Sequence, residues 1–146
     1  MNEIMNIDKK YIDRIIISFC IYLLALILPI LLIFTINFTG YSVLYEELCK
    51  TIVIFYLILR FNETNVQYIN TFIFGLLFGL SESFLYLINI LQIGNYDFFL
   101  TRLYITIPMH IITSLVVLYF ARLSKKMIIV GFLLSLILHY TFNYLV

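Results

Sequence analysis

The chain has 146 residues, of which 64% are hydrophobic and only 12% charged, with a formal net charge of +1. A soluble domain carries about 25% charged residues, so this composition cannot cover a water-facing surface, and nothing basic enough for a nucleic-acid partner is present. A mean hydropathy of +1.08 places the chain among integral membrane proteins, and long continuous apolar runs without alternation exclude a β-barrel.

A spanning helix needs about 20 apolar residues, and five such segments can be placed in chain order. The first, Ile12–Ile36, follows a basic flank, but its apolar run is too long for a signal peptide and no small-x-small site follows it. It reads as a retained helix with no ionisable residue in its core, hence a peripheral support. Tyr41–Phe61, Val66–Ile93, Phe98–Leu123 and Met127–Val146 follow, joined by short connections such as "NETN" and "GNYD" that force antiparallel neighbours. The expected fold is all-α: a polytopic bundle of about five transmembrane helices in a single domain, 1–146, with the peripheral helix at 12–36 and the core at 41–146. Cys20 and Cys49 lie on different spans and read as small buried hydrophobes.

Orientation follows from the cations. Lys9, Lys10, Arg14, Arg60, Arg122, Lys125 and Lys126 flank one side, against Arg102 alone near the other. The positive-inside rule then puts the N-terminus in the cytoplasm and the C-terminus outside, in a multi-pass protein of the cell membrane.

The second span poses a problem, because "YEELCK" places Glu46, Glu47 and Lys50 inside it. If the span began after Lys50, about 11 residues would remain, roughly 16 Å of helix against roughly 30 Å of hydrocarbon. The charged residues therefore lie in the membrane, where each costs at least roughly 2.5–3.5 kcal/mol. Glu82 in the third span, His110 in the fourth, and His139 and Asn143 in the fifth fall at similar depth, toward the outer face. Residues three or four apart share a helix face, and each core helix has one such stripe. The stripes are Ser42, Glu46 and Lys50; Gly75, Gly79, Glu82, Tyr86 and Asn89; Arg102, Thr106, His110 and Thr113; and Gly131, Ser135, His139 and Asn143.

Taken singly, these residues have plain explanations. Glu46 and Lys50 can neutralise each other at i, i+4, His110 can be a packing residue, Asn143 can join helices, and Arg102 can anchor at the interface. Together, three carboxylates and two imidazoles in one membrane layer point to function. A carboxylate in low dielectric suits a general base, imidazoles can bind a metal or an oxyanion, and His139 with Asn143 one turn on can donate to a developing oxyanion. This is the inventory of a peptide-bond hydrolase that activates water.

The motifs "EELCK" (E-E-x-x-K), "FGLSE" at Phe78–Glu82 (F-x-x-x-E), the isolated His110 and "HYTFN" at His139–Asn143 (H-x-x-x-N), one per helix in that order, resemble the PrsW-type intramembrane proteases. These are related to the CAAX-protease and bacteriocin-processing membrane endopeptidases. The resemblance covers Tyr41 to Val146 and implies an intramembrane endopeptidase that cuts a membrane-anchored protein or peptide near the outer membrane surface. It implies Glu46 as the water-activating base supported by Glu47, and Glu82 and His110 as residues that position water or bind metal. His139 and Asn143 would stabilise the oxyanion, Lys50 would hold the acidic pair, and Arg102 would lend support. His110, His139 and Glu82 can supply three ligands for a catalytic zinc; a metal-free glutamate mechanism uses the same residues, and both stay open.

The chain is short for such enzymes, which fits a minimal enzyme or an oligomer. It also fits a non-catalytic scaffold or immunity-type protein of the same fold. A small proton-coupled transporter is a further alternative, although confinement of the charges to one leaflet and the lack of inverted repeats speak against it.

Overall fold

The computed structural model describes the backbone of residues 2–39, 42–93 and 96–145. Side chains at 2–10, 34–39, 88–93, 96, 98, 99, 101 and 102, and with them Asn89 and Arg102, lie outside the described residues. Five helices follow one another: α1 (Asn2–Thr39), α2 (Ser42–Arg60), α3 (Thr64–Ile93), α4 (Tyr96–Leu123) and α5 (Ile128–Leu145), with a 3₁₀ turn at Lys125–Met127. Among the described residues there is no strand. The five expected spans fall on these helices; α1 starts ten residues earlier than its apolar run, because Asn2–Tyr11 contains no proline or glycine to stop it.

Four of the helices, α1, α3, α4 and α5, are long and apolar enough to cross a membrane. The fifth, α2, has 19 residues, roughly 28 Å of helix, but Glu46, Glu47 and Lys50 interrupt its apolar character. Its position in the bundle explains how it carries them. Among the described residues, α2 is the one helix that packs against all four others, whereas α1 touches only α2 and α3. The charged face of α2 meets protein, and the exposed Ile15, Phe19, Leu23 and Ile27 of α1 face outward as a lipid-compatible surface.

Two apolar clusters hold the bundle. Ile21, Ala25 and Leu32 of α1 pack with Val53, Leu57, Phe61, Phe74 and Phe78, and Ile54 of α2 packs with Val117 and Leu118 of α4. Polar bonds add to the first interface: Tyr22 donates to Asn70 Oδ1 at 2.9 Å, and Ser81 donates to the Leu26 carbonyl at 2.7 Å. The connection between α2 and α3 is tied at both sides. Arg14 makes two bonds to the Glu63 carboxylate, at 3.0 and 2.6 Å, and Arg122 donates to Gln67 Oε1 at 2.6 Å and Thr64 Oγ1 at 2.8 Å. Gln67 in turn donates to the Phe61 carbonyl. Two cations that first read as orientation signals thus also clamp the helix ends.

Glycines set the closest approaches. A Cβ at Gly75 would meet the His110 carbonyl oxygen and Ile111 Cα, each at 2.8 Å, and one at Gly79 would meet Ile107 Cα at 2.9 Å. The G-x-x-x-G of α3 therefore lets α4 lie backbone to backbone against it at the turn that carries His110. Gly131 gives α5 the same freedom against Val117 of α4. Because rigid backbone stands where the methyl would go, Gly75→Ala should destabilise the fold by about 1–3 kcal/mol. Thermal unfolding in mild detergent checks this, and an unchanged midpoint would contradict the packing described.

Candidate active site

α2 supplies Glu46, Glu47 and Lys50 from consecutive turns, and three other helices close around them. Glu47 and Lys50 are fully buried, His110 is fully buried, and His139 is 1% exposed. Lys50 forms its ion pair with Glu47, three residues away. The pairing of Lys50 with Glu46, expected from their i, i+4 spacing, is not what the fold selects. Lys50 Nζ also donates to Thr113 Oγ1 at 2.9 Å and lies 3.1 Å from His110 Nδ1. It further sits 5.4 Å from the centroid of the Phe78 ring, a cation–π distance.

These contacts fix the imidazoles. An ammonium has donors and no acceptor, so His110 accepts at Nδ1 and carries its proton on Nε2, which is bonded to the Glu82 carboxylate. Phe78 supports the ring from the side, with centroids 4.9 Å apart. His139 Nδ1 is bonded to Glu47 Oε1 at 2.7 Å, which places its proton there and leaves a lone pair on Nε2. That nitrogen lies 3.7 Å from Glu46 Oε2. The two imidazoles meet edge to face with centroids 5.2 Å apart.

Glu46 and Glu47 therefore have different surroundings. Glu47 is held by Lys50 and His139, with Thr51 Oγ1 donating to its backbone carbonyl at 2.7 Å. Glu46 Oε2 is buried and has no hydrogen-bond partner among the described residues. A buried oxygen without a partner is costly; Glu47 Oε2 is likewise without a hydrogen bond, so each carboxylate keeps one oxygen for something the described residues do not supply.

A metal fits this arrangement. Glu46, His110 and His139 offer donor atoms that all lie within 4.8 Å of one another, a carboxylate and two imidazoles of the kind that bind catalytic metals. Three carboxylates against one lysine leave a formal charge of −2 with neutral imidazoles, which a divalent cation would offset. His139 is already oriented for the purpose by Glu47, as ligating histidines commonly are by carboxylates. His110 would first have to give up its Nε2 proton, and Glu82 is bonded to that nitrogen. Glu46 thus completes the trio, and Glu82, expected as a ligand with the two histidines, is bonded to that same His110 nitrogen.

Six of the expected site residues converge: Glu46, Glu47, Lys50, Glu82, His110 and His139. Asn143 does not join them. It is exposed in the last turn of α5 and makes no hydrogen bond to another described residue. Arg102 lies outside the described residues. Two contributors carried no role in the sequence reading, Thr113 as the acceptor for Lys50 and Phe78 as the ring beside His110. Both were signalled by spacing: Thr113 lies three residues beyond His110, and Phe78 four before Glu82.

No curated protein matches the chain, and no solved structure does. Residues 15–146, nearly the whole chain, match the PrsW family of intramembrane metalloproteases. With four helices long and apolar enough to cross a membrane and a buried glutamate–histidine centre among the described residues, the chain belongs to the PrsW family of intramembrane metalloproteases.

Proposed function

We propose that this protein is an intramembrane endopeptidase that hydrolyses a peptide bond of a membrane-anchored protein or peptide, with Glu46 as the base that takes a proton from water. The observation that carries this reading is the buried Oε2 of Glu46, which has no hydrogen-bond partner among the described residues and lies 3.7 Å from Nε2 of His139. A carboxylate with no competing hydrogen bond in a low-dielectric site is suited to general-base work. Glu47 and Lys50 act as positioning residues: Glu47 sets the tautomer of His139, and Lys50 sets that of His110. His110, with its Nε2 proton shared with Glu82, can pass a proton to the leaving amine. His139, whose Nδ1–H is held by Glu47 and whose Nε2 is an acceptor, can orient the attacking water, and Asn143, exposed one turn on, can contribute a donor to the oxyanion from the substrate side.

A metal-dependent route is the alternative to this one: Glu46, His110 and His139 would then be ligands in place of their base and proton-donor roles, with zinc the ion that the ligand types favour. When bound, it would polarise the scissile carbonyl and acidify water. Cation asymmetry supports a cytoplasmic N-terminus, an outer C-terminus and residence in the cell membrane, with cleavage near the outer surface. The complete burial of Lys50, Glu47 and His110 favours a second reading, a non-catalytic scaffold in which the same network only holds helices together.

One assay separates the two. Wild type, Glu46→Gln and His139→Ala, each purified in mild detergent, are incubated with a panel of fluorogenic peptides and single-span proteins, and intact mass reports cleavage. Cleavage is expected from wild type alone, with a loss in Glu46→Gln of at least about 100-fold for removal of a general base. In the metal-dependent route, chelation abolishes wild-type cleavage and zinc restores it. Full activity of Glu46→Gln would remove the mechanism, and indifference to chelators would remove the metal.

Orientation has its own check. A tag after Val146 should be labelled by a membrane-impermeant reagent on intact cells. Protection of the tag until the membrane is opened would reverse the topology.

A further inference from the structure

Where α2 hands over to α3, about three turns beyond Lys50, α1 and the connection enclose a cavity of about 560 Å³. Its lining divides by chemistry. Phe19, Phe61 and Val66 are apolar, whereas Tyr11, Arg14 and Ser18 of α1 and Glu63 of the connection are polar. The three polar residues of α1 recur at i, i+3 and i+7 and so share one helix face. Tyr11 is also the first residue of the candidate span Tyr11–Ile33. This face therefore stands at the level where lipid headgroups meet hydrocarbon, the usual place of an interfacial tyrosine.

The α1 side of the cavity is made of hydrogen-bond donors. A guanidinium has five N–H groups, and Arg14 gives two of them to the Glu63 carboxylate, at 3.0 and 2.6 Å. The Ser18 hydroxyl, half-buried one turn on, makes no hydrogen bond to another described residue. Guanidinium and hydroxyls together suit a phosphate, which has only acceptors to offer. The ion pair also holds the Glu63 carboxylate, 54% exposed, beside that cation. The cavity thus has a positive wall on α1, a negative wall on the connection and no net charge from the pair. Its complement is a head that carries one charge of each sign and continues into an apolar tail.

We propose that this cavity binds a membrane phospholipid with an ethanolamine headgroup. Its phosphate accepts from Arg14, Ser18 and Tyr11, its ammonium donates to Glu63, and an acyl chain lies along Phe19. Charge complementarity selects the headgroup. A choline head has the same two charges but no N–H to give the carboxylate, and a glycerol head has no cation at all. The site lies apart from the glutamate–histidine centre, and the inference does not depend on the protease reading.

Lipid retention tests it. Protein stripped of lipid in mild detergent is mixed with equal amounts of dioleoyl phosphatidylethanolamine, phosphatidylcholine and phosphatidylglycerol, and native mass spectrometry reports which stays bound. Wild type should retain the ethanolamine lipid at least about ten-fold over the choline lipid, the worth of one hydrogen bond to a charged group. Glu63→Gln keeps the cation but removes its partner, and should turn the order in favour of phosphatidylglycerol. Ser18→Leu fills the polar face while leaving the ion pair in place. It should abolish retention of the ethanolamine lipid with the thermal unfolding midpoint unchanged, which separates loss of the site from loss of the fold. Equal retention of the three lipids by wild type, an unaltered order in Glu63→Gln, or full retention in Ser18→Leu would overturn the proposal. No cleavage enters the measurement, so its failure would leave the protease reading standing.

Discussion

The buried ion pair between Glu47 and Lys50 is the interaction on which the rest of the centre depends. Two charges withdrawn from water cost several kcal/mol each, and their mutual attraction repays this only if the remaining donors and acceptors are also used. Here Lys50 and Glu47 Oε1 are used in both directions, while Glu47 Oε2 has no hydrogen-bond partner among the described residues. Glu47 engages His139 on α5, and Lys50 engages His110 and Thr113 on α4. A pair formed within one turn of α2 therefore fixes two imidazoles on two other helices and decides which nitrogen of each carries the proton. The same pair draws Lys50 away from Glu46. Glu47 is thus engaged by Lys50 and His139, while Glu46 Oε2 has no hydrogen bond among the described residues.

Such a network needs helices that approach closely and a charged helix face shielded from lipid. The first need is met by Gly75, Gly79 and Gly131, where backbone contacts replace side chains. The second is met by topology, since α2 packs against each of the other four helices while α1 covers one side of it. Membership of the PrsW family fits this arrangement, because a water-using reaction inside a bilayer requires polar groups that the surrounding protein isolates from hydrocarbon.

The helices were legible because apolar length and cation placement are properties of the chain itself. So was the cluster: Glu46, Glu82, His110 and His139 sit at similar depths on successive helices, each on the one polar or small face. What could not be read was which partner each residue would choose. Spacing along α2 allows Lys50 to reach either glutamate, and the choice of Glu47 is made by His110 and Thr113, which lie some sixty positions away. The grouping of Glu46 with the two histidines as possible ligands, where depth suggested Glu82, has the same origin, because relative depth does not reveal how helices rotate about their axes. Asn143 shares a face with His139 by spacing, but α5 ends within one turn of it, and its side chain stays exposed beyond the packed part of the bundle.

The central claim is that adjacent glutamates on one turn have separate duties. Unfolding of Glu47→Gln and Glu46→Gln, measured side by side in detergent, tests it most directly. Removing the Glu47 charge strands Lys50 in the interior and should cost about 3–5 kcal/mol, as breaking one half of a buried pair does. Glu46→Gln, which removes a charge whose Oε2 has no hydrogen-bond partner, should leave stability unchanged or raise it. A large loss in Glu46→Gln, or none in Glu47→Gln, would contradict the division of roles on which the proposed mechanism stands.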